Sequence, residues 1–452
     1  MDTLPNPDFE SPMDSSPLST YQIGIVVLCA LIAMIDGFDT QVIAFVAPKI
    51  SQSWGVPIAQ FGPIFGANLL GGLFGALGFG IAADRFGRKP GLLLAMALFG
   101  VASVATSLAE SMRELLVFRA ITGVGLGGAL PSIIALTSEY APARLRATMV
   151  TSMFCGFPLG AAAGAVASAW AIPAFGWQSI LIAGGVIPLL LIPFVALIVP
   201  ESIRYLVMRG NTLRAQQILS RMHLRLGPTQ SRQQPQTGHK QLPVVGLFTE
   251  GRAAGTLLLW FVFFLSLLMT YFLISWVPSI VNQVGLAYQG AVVAVAMLNI
   301  GGVFGCLLMG RLIDRVGPYS VIASGYAIGA FAISAIGFAG TSTLLVLGAA
   351  LLAGFFSIGA QMCVVALVAG YYPTALRATG IGWSMGMGRI GAVVGPVAGG
   401  LLIAAGLGST ALFLSVATAS LLAAAGALTM GYLTKPSAIA STLTQKSNGH
   451  AA

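Results

Sequence analysis

Long apolar runs separated by short polar clusters recur along the whole 452-residue chain, and most runs approach the ~20 residues needed for one membrane-crossing helix. The pattern predicts twelve such helices. The first six span about 21–46, 58–82, 91–109, 114–138, 148–170 and 177–200. The second six span about 253–281, 288–312, 320–339, 342–370, 379–405 and 409–433. A polar segment, 201–252, containing RLGPTQSRQQPQTGHKQLP reads as a linker, and 1–20 and 434–452 read as tails. The expected architecture is an all-α membrane protein with two six-helix bundles, 21–200 and 253–433.

Composition agrees with this reading. Hydrophobic residues make up 57% of the chain and charged residues 8%, against the ~25% charged of an ordinary soluble domain. The net charge of +9 sits in short connections and implies orientation in a bilayer, with no role for nucleic acid. Arg85, Arg88, Lys89, Arg144, Arg146, Arg311, Arg315 and Arg377 fall in alternate connections, while the opposite ones offer Lys49 and Arg113. The arginine-bearing side, with both termini and the linker, is therefore expected to face the cytoplasm. Asp2, Asp8, Glu10 and Asp14 precede any Lys or Arg, unlike the basic start of a cleavable leader. Cys29, Cys155, Cys306 and Cys363 stand singly in apolar runs and read as packing residues. His223 and His239 lie in the linker and read as solvated. No metal-ligand cluster and no nucleophile beside a base is evident, so neither a cofactor nor an enzyme activity is expected.

The two halves repeat one another. GIAADRFGR, from Gly80 to Arg88, recurs as GRLIDRVG from Gly310, and APARLRAT ending at Thr148 recurs as YPTALRAT ending at Thr379. Two parallel copies of a six-helix unit are the build of carriers whose halves rock around a central site. In the first of these motifs, Gly80 and Gly87 are expected to allow close backbone approach, and Asp84 and, in the second half, Asp314 to cap or pair with neighbouring helix ends. With Arg85, Arg88, Glu139, Arg144, Arg315 and Arg377 they form a candidate conformational latch.

GIAADRFGRK resembles the signature loop of the major facilitator superfamily. DGFDTQVIAFVAPKI, RAITGVGLGGALP, TSEYAPARLRAT, SMFCGFPLG, SWVP and RATGIGWSMGMGRIGAVVGP together resemble its aromatic acid:proton symporters. Those carriers import benzoate-like acids such as hydroxybenzoates, protocatechuate, gentisate or hydroxyphenylpropionate. The resemblance implies a multi-pass monomer in a bacterial inner membrane, supplying aromatic catabolism, and it implicates the acidic positions of the first helix in transport. GAVVGPVAGG, from Gly391, has the Gly and Pro pattern of drug antiporters, but those carry it on the fifth helix. The fifth helix here reads CGFPLGAAAG, which disfavours export.

Four charges stand well inside expected helices: Asp36, Asp39, Arg119 and Arg389. Each costs about 2.5–3.5 kcal/mol at a bilayer centre on insertion scales, so all four should avoid lipid. Asp36 lies roughly 22 Å along the first helix, and Arg119 about 8 Å down the fourth from the other side, so their depths match. Asp36 and Asp39 share a helical face, and Gly37 is expected to leave room beside them. One carboxylate should pair with Arg119 and the other take a proton, since an acid whose arginine contact changes can load and release one. Arg389, about 15 Å into the eleventh helix, has no carboxylate within an expected span of its own half and suits a substrate carboxylate. Candidate ring and polar lining comprises Phe38, Tyr271, Ser275, Trp276, Asn299, Gln361 and Trp383. The leading expectation is uptake of an aromatic carboxylate with protons. A carrier of a sugar acid or dicarboxylate, and a substrate-sensing receptor, are the alternatives.

Overall fold

The computed structural model describes residues 18–222 and 244–448. Asp2, Asp8, Glu10, Asp14, His223 and His239 lie outside the described residues. Among the described residues, twelve helices are long and apolar enough to cross a membrane. In chain order they are α1 (Thr20–Trp54), α2 (Ile58–Phe86), α3 (Arg88–Thr106), α4 (Met112–Tyr140), α5 (Thr148–Phe175) and α6 (Trp177–Ile198). Then follow α7 (Ala253–Gln283), α8 (Tyr288–Val316), α9 (Pro318–Phe338), α10 (Thr343–Val368), α11 (Thr379–Ala404) and α12 (Ser409–Leu433).

Two compact units result, though their boundary departs from the one expected. Among the described residues, one unit comprises 18–46 and 67–222, the other 47–66 and 244–448. The second unit claims the end of α1 and the first turns of α2 because those segments pack on its own helices. A Cβ on Gly62 would stand 3.2 Å from the Cα of Gly400, and Phe65 meets Trp276 edge-on at 5.2 Å. The Lys49 ammonium lies 5.4 Å from the centre of the Tyr288 ring.

Within each unit, small residues set helix spacing, as expected where no hydrophobic gain drives helices together in lipid. Gly37 of α1 faces the Phe157 carbonyl of α5, and Gly160 of α5 faces the Met34 carbonyl of α1. Gly71 and Gly127 play the same part between α2 and α4. The second unit repeats the scheme. Gly391 and Gly395 of α11 face the Phe264 and Leu268 carbonyls of α7, while Gly305 of α8 and Gly354 of α10 each face a carbonyl of the other helix. The room expected beside Gly37 is thus filled by backbone. Gly37→Val should force α1 and α5 apart, lowering stability by about 1–3 kcal/mol. A detergent melting curve unchanged from wild type would contradict that contact.

The segment read as a linker begins as folded structure. Ser202 and Asn211 accept from the backbone N–H groups of Tyr205 and Arg214, capping the short helices Ile203–Met208 and Thr212–Ser220. Ile203, Leu206, Ala215, Leu219 and Met222 join the first unit's core beside Leu92, Met96 and Val195. At the chain's other end, the helix begun by α12 runs on to Asn448, through most of the segment read as a tail.

Candidate functional site

The first unit buries a charged cluster drawn from four successive helices. Arg119 of α4 donates through Nη2 to the Asp39 carboxylate of α1 at 3.1 Å, both side chains being fully buried. The same nitrogen reaches the Asp39 backbone carbonyl at 2.7 Å and Asn68 Oδ1 of α2 at 3.3 Å. Ser103 of α3 donates its hydroxyl to the other Asp39 oxygen at 2.6 Å. Asp39 is the carboxylate that pairs with arginine, as the matching depths allowed. Asp36, one turn earlier and also buried, accepts from the Thr40 hydroxyl at 3.3 Å. Asn68 and Ser103 were not singled out in the sequence, being neutral residues in long apolar helices. Their only signal is that a buried polar group needs a partner.

Arg119 is not saturated by this arrangement. Its Nε and Nη1 are buried and have no hydrogen-bond partner among the described residues. A guanidinium with donors in reserve can follow a second acceptor if its first carboxylate becomes protonated.

The second unit carries Arg389 half-buried on α11. Among the described residues it makes no ion pair or hydrogen bond. Tyr271 and Ser275 lie one turn apart on α7, and Asn299 on α8 is buried, its side-chain amide donating to the Val295 carbonyl at 2.9 Å. Gln361 follows a π-helical turn, Gly354–Ile358, in α10, a helix irregularity often found at functional sites. Trp383 is 45% exposed and stacks on Trp260 at 5.7 Å.

Two candidate lining residues are committed to packing. Trp276 is fully buried, donates its indole N–H to the Pro396 carbonyl at 2.9 Å and meets Phe65 edge-on. Phe38 seats its ring in notches left by Gly164 of α5 and Gly184 of α6.

The repeated turn is built differently in its two copies. Asp84 pairs with Arg88 at the start of α3, at 2.8 Å, and Gly87 holds φ at 109°, a conformation that favours glycine. The N-terminus of α3 is capped by Glu201, whose Oε1 accepts from the backbone N–H of Arg88 at 2.7 Å and of Lys89 at 3.2 Å. Arg85 offers its carbonyl to Tyr205 and Arg209. Glu139 accepts from the backbone N–H of Arg204 at 2.7 Å, and Arg144 is exposed. Gly80 does not make the close approach expected of it, since a Cβ there would meet open space. In the second copy Asp314, Arg315 and Arg377 are exposed and form no ion pair among the described residues. The position matching Arg88 is Pro318, which removes the cation from Asp314's reach.

The cysteines are free thiols, but Cys306 of α8 and Cys363 of α10 are neighbours, with sulfurs 3.9 Å apart. No group of three or more His, Cys, Asp or Glu suited to a metal occurs among the described residues.

Comparison with known proteins places this geometry. The model of the Major Facilitator Superfamily matches residues 29–360 and 259–451. The chain is 40% identical to a gallate transporter of Pseudomonas putida, over 94% of this chain and 95% of that protein. It is 39% identical to the 4-hydroxybenzoate transporter PcaK of Pseudomonas aeruginosa, over 94% and 96%. In fold it is similar to an inward-facing bacterial homologue of the human lysosomal transporter Spinster, with a TM-score of 0.72 at 16% identity, covering 92% of this chain and 98% of that one. The chain belongs to the major facilitator superfamily of transporters, and it is not an enzyme.

Proposed function

We propose that the protein takes up an aromatic carboxylic acid, of the hydroxybenzoate class, together with protons by alternating access. The observation that carries this is Arg389, a half-buried cation with no ion pair among the described residues, in a chain whose relatives are a gallate and a 4-hydroxybenzoate transporter. Arg389 receives the substrate carboxylate as a two-pronged donor. Tyr271, Ser275, Asn299, Gln361 and Trp383 supply ring contacts and polar tips. The proton is handled in the first unit, by Asp36, Asp39 and Arg119.

Charge balance favours coupling to protons. A monoanion entering a cell that is negative inside works against about 2.3 kcal/mol per 100 mV. One proton makes the cycle electroneutral, and a second lets the potential assist. The chain acts as a monomer in a bacterial inner membrane, with its arginine-bearing loops and both termini in the cytoplasm.

Uptake of radiolabelled 4-hydroxybenzoate into cells expressing the protein tests this reading. Hydroxybenzoates should compete strongly and a protonophore should collapse accumulation. A dicarboxylate or sugar acid outcompeting every benzoate would overturn the aromatic assignment. Accumulation indifferent to the protonophore would overturn proton coupling.

A further inference from the structure

At its arginine-bearing end, the first unit holds a cavity of about 910 Å³ between the α2–α3 turn, the end of α6 and the two short helices that follow. Five cations line it: Arg85, Lys89, Arg209, Arg214 and Arg221. Glu201 is the single acid of that lining, and it is already engaged. Its Oε1 accepts from three backbone N–H groups, of Arg88, Lys89 and Ser202. None of the five cations makes an ion pair among the described residues.

The cations are positioned without being neutralised. Arg209 donates to the Arg85 carbonyl at 2.6 Å, and Lys89 to the Ala196 carbonyl at 2.5 Å. The Arg209 and Arg221 guanidiniums lie 5.6 and 5.8 Å from the Tyr205 and Tyr21 ring centres. Neutral carbonyls and ring faces hold these groups while leaving N–H donors for an anion. Guanidinium forks match phosphate oxygens two at a time.

Part of the remaining wall is apolar, beside the polar Asn211 and Gln217, and this selects among anions. Phe86, Leu93 and Leu197 line the same cavity, and Phe86 and Leu197 are 62% and 80% exposed on membrane-crossing helices or at their ends. A free phosphate would use only the cations. A glycerophospholipid uses both surfaces, its phosphate among the arginines and its acyl chains along the exposed Phe and Leu. We propose that this cavity is a binding site for the headgroup of an anionic phospholipid. Such a ligand ties the α2–α3 turn, which carries the repeated motif, to the helices after α6.

Native mass spectrometry of the full chain in detergent, with added dioleoyl phosphatidylglycerol, tests the assignment. Phosphatidylglycerol should be retained and should raise the melting temperature. Dioleoyl phosphatidylcholine, with the same tails and no net charge, should do neither, and glycerol 3-phosphate should be without effect. Arg209→Gln and Arg214→Gln each remove an exposed cation and should weaken phosphatidylglycerol binding about fivefold. The double variant Arg311→Gln/Arg315→Gln removes charge from the second unit's repeated turn and should leave binding unchanged. An equal loss in that control, or none in the cavity variants, would overturn the site in favour of general surface attraction. Glycerol 3-phosphate matching phosphatidylglycerol would overturn the lipid and leave a soluble phosphate as the ligand. Arg214 makes no side-chain hydrogen bond, so its variant keeps the test independent of folding.

Discussion

Arg389→Ala is expected to reduce hydroxybenzoate uptake by roughly thirtyfold or more while the protein still reaches the membrane. The size follows from what is removed: losing the cation from a partly desolvated, hydrogen-bonded charge pair costs about 2–5 kcal/mol. Arg389→Lys keeps the charge but replaces a planar fork with a point donor, so it should recover only part of the affinity. Equilibrium binding of labelled 4-hydroxybenzoate to purified protein separates this from a defect in turnover. An alanine variant with wild-type affinity would remove Arg389 from the substrate site.

The second large effect belongs to Asp39 and Arg119. Arg119→Gln strands a buried carboxylate, a loss of about 3–5 kcal/mol where one partner of a buried pair is removed. Asp39→Asn strands the guanidinium in the same way, though Ser103 can still bond to the amide that replaces the acid. The double variant Asp39→Asn/Arg119→Gln should therefore melt closer to wild type than Arg119→Gln alone, and such a cycle isolates the pair from its surroundings. Accumulation against a gradient should be lost in all three. A double variant that regained accumulation along with stability would reduce the pair to packing. Normal accumulation by Asp39→Asn alone would move the proton to Asp36 or out of this cluster.

Helix count and order were legible because hydrocarbon thickness imposes a length on every apolar run. The ends were not. α1 continues past Val46 to Trp54 through Lys49, Gln52 and Ser53, residues that read as loop until Lys49 is seen lying over the Tyr288 ring. The segment after Pro200 looked like linker because its apolar positions are few. Spaced as Ile203, Leu206, Ala215 and Leu219, they are enough to dock two short helices on the first unit's core.

At the site, the charged residues announced themselves by their cost in lipid, and their pairing was limited by depth. What that reasoning missed depends on contacts between residues distant in sequence. Gly37 looked like space and proved to be a contact, because only the fold brings Phe157 against it. Asn68 and Ser103 carry no charge to betray them. Cys306 and Cys363, 57 positions apart, become neighbours through the packing of α8 on α10.

The Asp39 cluster also bears on how the chain is made. The hydrogen bonds of Asp39 and Arg119 form only when α1, α2, α3 and α4 stand together. During synthesis, α1 enters the bilayer with two carboxylates and must wait for three further helices before Arg119 arrives. The Asp39 side chain thus lacks its full set of partners until four helices are in the bilayer, and α1 gains its glycine contacts with α5 only after that.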